Sequence, residues 1–231
     1  MSDARRMAER YARRDGLDHR YSPLRPDVWH TLQERQRALL RLLGRLGWDD
    51  LRERRVVEIG CGAGGNLLEL LRLGCMPEHL IGIELLPQRL AQARRVLPDG
   101  LRLLGGDACD IEDTALAPAS QDMVLLSTVL SSVLEDAGRR ALADAAWRWL
   151  RPGGGVLCYD FTIDNPRNPD VRGVPRAALR RLFPQARISA QRVTLAPPLA
   201  RALCRIHPSL YPLANALPLL RTHLLAWIEK P

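Results

Sequence analysis

The sequence has almost no lysine, few cysteines and no long apolar run. Lys230 stands alone among 34 basic residues, a bias that looks like a compositional habit. The five cysteines form no CxxC pair and their odd number argues against a disulfide framework, so we expect reduced thiols. No uncharged apolar stretch reaches the roughly 18 residues of a membrane-spanning helix, so none is predicted.

A secretory leader and a metal-binding cluster are also missing. The N-terminal segment is rich in arginine and has no apolar core, so the predicted location is the cytoplasm, with peripheral contact to a membrane as a variant. The five histidines are scattered, and no cluster of His, Asp or Glu has the spacing of a metal site. We therefore predict no metal ion.

Charge is distributed unevenly along the chain. Residues 56–164 carry 9 arginines against 15 acidic residues, whereas residues 1–55 carry 14 against 9 and residues 165–207 carry 9 against 1. Basic flanks can attract a phosphate-bearing substrate, a nucleic acid or an anionic membrane. All three partners stay open at this point, because arginine is favoured in the whole chain.

The stretch from Arg55 to Leu67 organises the rest of the sequence. A short β-branched run ends in an acid, and glycines at 60, 62, 64 and 65 then lead into an apolar pattern of helical spacing. This order predicts a strand, a tight turn and the start of a helix. Glycines let the backbone approach a ligand and the new helix presents free N–H groups, so we expect a pocket for a nucleotide-type ligand.

Strand and helix patterns alternate over most of the chain. After the first strand, further strands are predicted at 80–84, 101–104, 122–126 and 156–161. Parallel pairing through right-handed crossovers then implies the α/β class with a doubly wound sheet. Residues 1–54 are predicted to form an arm and an amphipathic helix, with Asp27 as its N-cap, that cover the site.

The last third of the chain departs from this alternation. A helix is predicted at 175–183 and strands at 187–195 and 222–228. Residues 196–221 between the two strands form a Pro-rich, apolar and Arg-dotted insertion, and connections of that length usually have a function. It would suit a lid over the site, a dimer contact or an interfacial segment beside anionic headgroups.

Three acids at strand ends narrow the choice of ligand. Glu58 would repel a pyrophosphate but attract an amino group, Glu84 has the spacing of an acid that binds ribose hydroxyls, and Asp107 could accept a hydrogen bond from an adenine amino group. A P-loop is unsuitable because Asn66-Leu67 stands where Lys-Ser/Thr is required. Amino group, ribose and adenine together indicate S-adenosyl-L-methionine.

These motifs resemble those of the class I S-adenosylmethionine-dependent methyltransferases, in particular the small bacterial type 11-like group. The resemblance runs from Glu58-Ile-Gly-Cys-Gly-Ala-Gly64 through Asp107-Ala108 to Leu150-Arg-Pro-Gly-Gly-Gly155. It implies a seven-stranded Rossmann-like sheet over residues 55–231, with the strand at 222–228 antiparallel between the fifth and sixth strands, and S-adenosyl-L-homocysteine as product. The cofactor-binding residues that it implies are Glu58, Gly60, Cys61, Gly62, Gly64, Asn66, Glu84, Leu85, Asp107, Ala108 and Ser127.

A catalytic base is needed if the acceptor is a hydroxyl group, whereas methyl transfer itself needs no metal. The candidates are Asp160, at the end of the fifth strand, and His207, in the insertion, because an imidazole titrates near neutrality. Each has a structural alternative. Asp160 could anchor the loop that follows it, and a lone histidine in an apolar loop could be structural.

Two segments bear on the acceptor. Ser127-Thr-Val-Leu130 stands where DNA amino-methylating enzymes have Asn-Pro-Pro-Tyr. Tyr159-Asp-Phe and residues 165–173 resemble small bacterial methyltransferases thought to modify sugars in polysaccharide or lipid-linked glycan assembly. That resemblance implies O-methylation of a small molecule, a glycan or a lipid-linked glycan. The alternatives are an RNA methyltransferase drawn by the basic flanks, a non-catalytic S-adenosylmethionine-binding regulatory subunit, and an NAD-dependent oxidoreductase.

Overall fold

A computed structural model describes residues 22–164 and 168–231 of the chain, so the arm predicted at the N-terminus lies largely outside the described residues. The strands are β1 (Val56–Ile59), β2 (Leu80–Glu84), β3 (Arg102–Gly105), β4 (Gln121–Ser127), β5 (Leu150–Phe161), β6 (Arg187–Leu195) and β7 (Arg221–Glu229). The α-helices are α1 (Pro26–Arg45), α2 (Gly65–Arg72), α3 (Pro87–Val96), α4 (Asp136–Trp149), α5 (Arg176–Leu182), α6 (Pro197–Ile206) and α7 (Leu210–Asn215).

The seven strands form one sheet in the order β3-β2-β1-β4-β5-β7-β6. The first five strands pair in parallel, and β7 pairs antiparallel with both β5 and β6. The predicted doubly wound sheet, and the place of the last strand within it, are therefore confirmed. The strand order reverses between β1 and β4, and this is the point at which such sheets bind ligands, outside the carboxyl ends of the strands.

Helices cover both faces of the sheet. On one face α1, α2 and α3 pack through a cluster that includes Leu42 and Leu67, and on the other α4 and α5 pack through a cluster that includes Trp149 and Leu179. All of β1 is buried because both of its faces are covered, which is why its sequence is apolar at every position but one. The exception is Glu58, a buried acid. The burial of a carboxyl group is unfavourable unless the group has a partner, so its presence in this strand indicates a functional role.

Two local predictions are wrong in detail. Asp27 is not the N-cap of α1, because the helix begins at Pro26 and the Asp27 carboxylate accepts a hydrogen bond from Arg25 Nε at 3.3 Å. The glycine turn predicted just before the fifth strand lies within β5, where the pairing with β4 shifts register. Residues 151–154 therefore bulge out of a ladder that continues on either side of them.

The insertion predicted between the last two strands lies between β6 and β7 and forms α6 and α7. Tyr211 of α7 is buried; its ring stacks on that of His30 with centroids 5.1 Å apart, and its hydroxyl lies 3.2 Å from Thr31 Oγ1. The insertion is therefore packed against α1. Across residues 22–164 and 168–231, no helix is both long and apolar enough to cross a membrane.

Candidate functional site

A cleft of ≈ 180 Å³ opens at the carboxyl ends of the parallel strands. The glycine turn after β1, the end of β2, the turn after β3 and the end of β4 all contribute to its wall. The lining residues are Ile59, Gly60, Gly62, Ile83, Glu84, Leu85, Leu86, Arg89, Gly106, Asp107, Ala108, Cys109, Ser127, Thr128, Val129, Ser132, Val133, Gly138 and Leu142. The topology thus brings four segments, distant in sequence, to one ligand-binding edge.

The glycine turn needs glycine for its backbone and for its packing. Gly60, Gly62 and Gly64 have φ angles of +69°, +57° and +87°, a region that side-chain-bearing residues rarely adopt. A Cβ on Gly60 would lie 2.8 Å from Val129 Cγ2 across the cleft. The Gly60 N–H donates to the Ile83 carbonyl at 2.8 Å, which holds the turn against β2.

The two acids on the cleft wall are oriented by backbone groups. Glu84 accepts hydrogen bonds from the N–H of Gly62 to Oε2 at 2.8 Å and from the N–H of Leu86 to Oε1 at 2.9 Å. Asp107 accepts one from the N–H of Cys109 to Oδ1 at 2.9 Å. A carboxylate oxygen can accept two hydrogen bonds, so both acids keep acceptor capacity for hydroxyl or amino groups in the cleft.

Glu58 lies behind the glycine turn and does not line the cleft. It is fully buried, its Oε1 accepts a hydrogen bond from Asn66 Nδ2 at 2.5 Å, and its Oε2 has no hydrogen-bond partner among the described residues. Burial raises the pKa of this carboxyl to about 8, against the lowering effects of Asn66 and of the Arg35 charge. An unpartnered buried oxygen is unfavourable, and an ammonium group would satisfy it.

A smaller cavity of ≈ 30 Å³ lies on the α1 side of the sheet edge. Its lining combines apolar side chains with a few polar groups from α1, α2 and the strand ends. The lining residues are Arg35, Leu39, Asn66, Glu69, Leu70, Leu125, Ser127, Leu157, Tyr159 and Leu225. Ser127 lines the cleft as well, so the end of β4 borders both spaces.

Arg35 joins this cavity to the buried acid. Its Nη2 donates to Asn66 Oδ1 at 2.7 Å and lies 3.7 Å from Glu69 Oε2, while its guanidinium carbon lies 5.4 Å from the centre of the Tyr159 ring. Asn66 in turn donates to Glu58. The chain of contacts therefore runs from helix α1, through α2, to the carboxyl beneath the glycine turn.

Glu34, the neighbour of Arg35, attaches α1 to β6, the strand at one edge of the sheet. Both of its carboxylate oxygens accept from the N–H of Thr194, at 3.0 and 2.9 Å, and Oε2 accepts from the Tyr211 hydroxyl at 3.2 Å. Thr194 has a φ of +64°, which is strained for a β-branched residue. Its Oγ1 lies 2.9 Å from the Tyr159 hydroxyl, so the attachment reaches the cavity wall.

Neither predicted base reaches the cleft or the smaller cavity. Burial raises the pKa of Asp160 to about 6, but its Oδ2 and Oδ1 accept hydrogen bonds from the backbone N–H groups of Ser131, at 3.0 Å, and Phe161, at 2.9 Å. His207 is exposed after the last turn of α6, where its Nδ1 accepts from the Ser209 N–H at 3.2 Å. Asp160 anchors the turn after β4 and His207 is a surface residue, so a catalytic role for either one stays a prediction.

The structure divides the predicted cofactor residues into two groups. Those on the cleft wall are Gly60, Gly62, Glu84, Leu85, Asp107, Ala108 and Ser127. Those behind it are Glu58, Cys61, Gly64 and Asn66. Cys61 packs in the core, where burial raises the pKa of its thiol, and a Cβ on Gly64 would lie 2.7 Å from Leu97 Cδ1. The second group shapes the turn from beneath.

Sequence reasoning misses the polar groups on the α1 side. Arg35 occupies a position that the sequence pattern assigns to the solvated face of an amphipathic helix. Its spacing from the neighbouring residues does not indicate a partner on another helix. Glu69 carries a usable signal, since it follows Asn66 by three residues and therefore shares a face of α2 with it. His223 also goes unnoticed; its ring stacks on Tyr159 with centroids 5.0 Å apart, and burial lowers its pKa to about 4.

In the described part of the chain, no group of three or more His, Cys, Asp or Glu residues is placed to hold a metal ion. The polar groups at the sheet edge are instead those that recognise hydroxyl, amino and ammonium groups. The geometry thus describes a cleft for an organic ligand.

Comparisons with known proteins agree with this geometry. A family model described as a methyltransferase domain matches residues 56–154. Magnesium protoporphyrin IX methyltransferase from Synechocystis PCC 6803, solved with bound S-adenosylmethionine, superposes with a TM-score of 0.62 at 14% identity, over 100% of this chain and 98% of that one. A search of the curated proteins found no match.

Two further solved structures extend the comparison. One is the complex between the Haloferax volcanii Trm112 methyltransferase activator and its methyltransferase, with a TM-score of 0.64 at 18% identity over 94% of this chain and 95% of that one. The other is Haemonchus contortus phosphoethanolamine N-methyltransferase 2 with phosphomonomethylethanolamine and S-adenosylhomocysteine, with a TM-score of 0.59 at 18% identity over 83% of this chain and 52% of that one.

The chain has the seven-stranded fold of S-adenosylmethionine-dependent methyltransferases, and the cofactor that this similarity implies is S-adenosylmethionine. The residues present fit this group. Glu84 and Asp107 offer acceptors for ribose hydroxyls and an adenine amino group, and the unpartnered Oε2 of Glu58 suits the amino group of the methionine part. At Gly62, which lines the cleft, the absence of a side chain leaves the backbone open to that part of the ligand.

Proposed function

We propose that this chain transfers a methyl group from S-adenosylmethionine to a hydroxyl group of a small molecule, a glycan or a lipid-linked glycan. The acceptor would approach between α1 and the carboxyl ends of β4 and β5, with only its reacting hydroxyl end reaching the smaller cavity. The observation that carries the proposal is the position of Ser127, which lines both the cofactor cleft and that cavity. An acceptor atom at this junction could approach the cofactor from the α1 side.

The cofactor supplies an electrophilic methyl carbon on a sulfonium. The protein must align the acceptor oxygen behind that carbon at about 3–3.5 Å and remove the hydroxyl proton. As the new C–O bond forms, the electron pair of the C–S bond returns to sulfur and the acceptor proton passes to a base. Glu69 is our candidate for that base, because its carboxylate lines the cavity and burial raises its pKa.

The polar groups around Glu69 would hold the acceptor. Arg35 supplies donor groups and a positive charge, and Tyr159 forms part of the cavity wall. The comparison proteins do not identify the acceptor, because their names describe acceptors as different as a magnesium porphyrin and a phosphorylated ethanolamine. The hydroxyl acceptor remains a proposal from the cavity and from the sequence resemblance.

Transfer of a labelled methyl group tests the proposal. The full chain would be incubated with methyl-labelled S-adenosylmethionine and, in separate reactions, with a pool of small molecules, of glycans, of lipid-linked glycans or of RNA. We expect label in an acid-stable ether on one of the hydroxyl acceptors. Label that enters RNA alone would overturn the proposal, as would cofactor binding without transfer to any pool, the result expected of a regulatory subunit.

Variants locate the acceptor site in the same assay. Glu69→Gln should lower turnover by about 10²-fold or more, the usual contribution of a general base, while binding of S-adenosylhomocysteine is retained. Arg35→Met should raise the acceptor KM, whereas Arg37→Met, an exposed change on the same helix, should not. Equal effects of the two arginine changes would contradict the assignment of the cavity.

A further inference from the structure

The insertion carries an exposed apolar surface that its packing against α1 does not use. Residues 206–220 contain no Asp, Glu, Lys or Arg. Within them the side chains of Ile206, Leu213, Leu217 and Leu219 are 76%, 69%, 58% and 88% exposed. We call these four residues the apolar patch. Isolated apolar side chains are common on surfaces, but four large ones within 14 positions are a sign of a binding surface.

A rigid base supports this patch. Leu195, Ala200 and Tyr211 are buried together beneath α6 and α7, and other apolar residues of the insertion pack around them. On α7 the residue two positions after Tyr211, Leu213, points away from this cluster, since two residues correspond to about 200° of helical rotation. The exposed leucines are therefore held outward by a packed element, and they are not displaced members of the core.

Positive charge accompanies the apolar patch. Arg201 and Arg205 stand four residues apart on α6, so they share one stripe of the helix, and both are exposed. Within the described part of the chain neither has an ion-pair partner at 4.0 Å or less. They belong to a segment, residues 165–207, that carries 9 arginines and 1 acidic residue.

We propose that the apolar patch, together with Arg201 and Arg205, binds the surface of an anionic lipid bilayer. The leucine and isoleucine side chains would enter the boundary between headgroups and acyl chains, and the two guanidinium groups would contact lipid phosphates. Charge complementarity favours this occupant over a second copy of the chain, because two copies of the patch would bring like charges together. Membrane contact would bring the α1-side cavity near a lipid-linked acceptor, and this consequence rests on the proposed function. The proposed binding to lipid does not depend on which acceptor the protein methylates.

Co-sedimentation with vesicles tests the surface on the full chain. The vesicles are phosphatidylcholine alone and phosphatidylcholine with phosphatidylglycerol, at low and at high salt. We expect binding to the anionic vesicles that weakens as salt increases. Arg201→Gln with Arg205→Gln should weaken it roughly 25-fold, from about fivefold for each charge near the surface. Leu217→Gln with Leu219→Gln should weaken it by about tenfold or more.

Matched changes elsewhere on the surface serve as controls. Arg94→Gln with Arg95→Gln removes two exposed charges on α3, and Val96→Gln removes an exposed apolar side chain that is 52% accessible. Neither should change vesicle binding. Binding of S-adenosylhomocysteine, measured for every variant, reports a folded cofactor site independently of any acceptor, so failure of this surface is distinguishable from failure of the proposed function.

Two outcomes would overturn the lipid surface. One is that the chain does not sediment with anionic vesicles at low salt, or that the leucine variant sediments with them as well as the control variants do. The other is a dimer in sedimentation velocity that Leu217→Gln with Leu219→Gln converts to monomer, since the patch would then belong to an interface between copies.

Discussion

The cleft at the strand ends and the smaller cavity on the α1 side both border Ser127, yet they are built in different ways. In the cleft the acids are held by backbone N–H groups: Glu84 by those of Gly62 and Leu86, and Asp107 by that of Cys109. On the other side Arg35 reaches a partner 31 positions away, and Glu34 reaches partners 160 and 177 positions away.

This difference assigns different tasks to the two regions. Contacts between backbone groups and acids at the strand ends form once the strands pair, so the placement of Glu84 and Asp107 depends mainly on the sheet. The cavity exists only when α1 has docked, because its wall contains residues from α1, α2 and three strands. Changes in the cleft should therefore affect cofactor affinity, and changes at the docking contacts should affect stability and acceptor turnover.

The largest effect is expected for Glu84→Ala. The change removes the acceptor predicted for the ribose and also leaves the N–H groups of Gly62 and Leu86 without their partner. We expect S-adenosylhomocysteine to bind about 100-fold more weakly, close to 3 kcal/mol, by isothermal calorimetry. Glu78→Ala, an exposed acid before β2, is the matched control and should bind as the parent does.

Glu34→Ala should give the opposite pattern. Loss of this buried carboxylate leaves the strained Thr194 N–H and the Tyr211 hydroxyl unpaired, which we expect to lower the free energy of unfolding by about 2–3 kcal/mol. Urea unfolding followed by tryptophan fluorescence measures it, with exposed Glu53→Ala as control. Affinity for S-adenosylhomocysteine should stay within about twofold of the parent; a loss comparable to that of Glu84→Ala would remove the distinction between the regions.

Glu58 lies between the two regions, and its titration should make the free energy of unfolding depend on pH. Burial raises its folded-state pKa to about 8 from 4.5, so the native chain keeps a proton that the unfolded chain releases. The associated stability is fully present below about pH 4.5 and is lost as pH rises to 8, with a limiting slope of about 1.4 kcal/mol per pH unit. Glu58→Gln cannot titrate and should flatten the profile measured by urea unfolding between pH 5 and 9. Parallel profiles for the two proteins would contradict the assignment.

The smallest effect is expected for Tyr159→Phe. It removes one buried hydrogen bond, to Thr194 Oγ1, and keeps the ring that Arg35 faces. We expect a loss of about 1 kcal/mol in unfolding free energy and no change in cofactor affinity. A raised acceptor KM in the transfer assay would sharpen the placement of the acceptor, whereas weaker binding of S-adenosylhomocysteine would show that the two sites are not separable.

The amino-acid sequence by itself determined the sheet and the cofactor side of the site. The order of strand, glycine turn and helix predicts β1, the turn and α2, and the acids at the strand ends predict Glu84 and Asp107 on the cleft wall. These predictions succeed because hydrophobic periodicity and glycine conformation are local properties that the parallel topology then places at one edge.

Only the tertiary structure decided the acceptor side and the fate of the predicted bases. Asp160 follows the right strand but accepts hydrogen bonds from backbone groups, and His207 lies on the surface. Glu34 and Arg35 stand next to each other on one helix, yet one attaches α1 to β6 and the other reaches the carboxyl of Glu58 through Asn66. Such roles depend on how α1 and the insertion dock on the sheet, and side-chain contacts across that distance leave no pattern in the sequence.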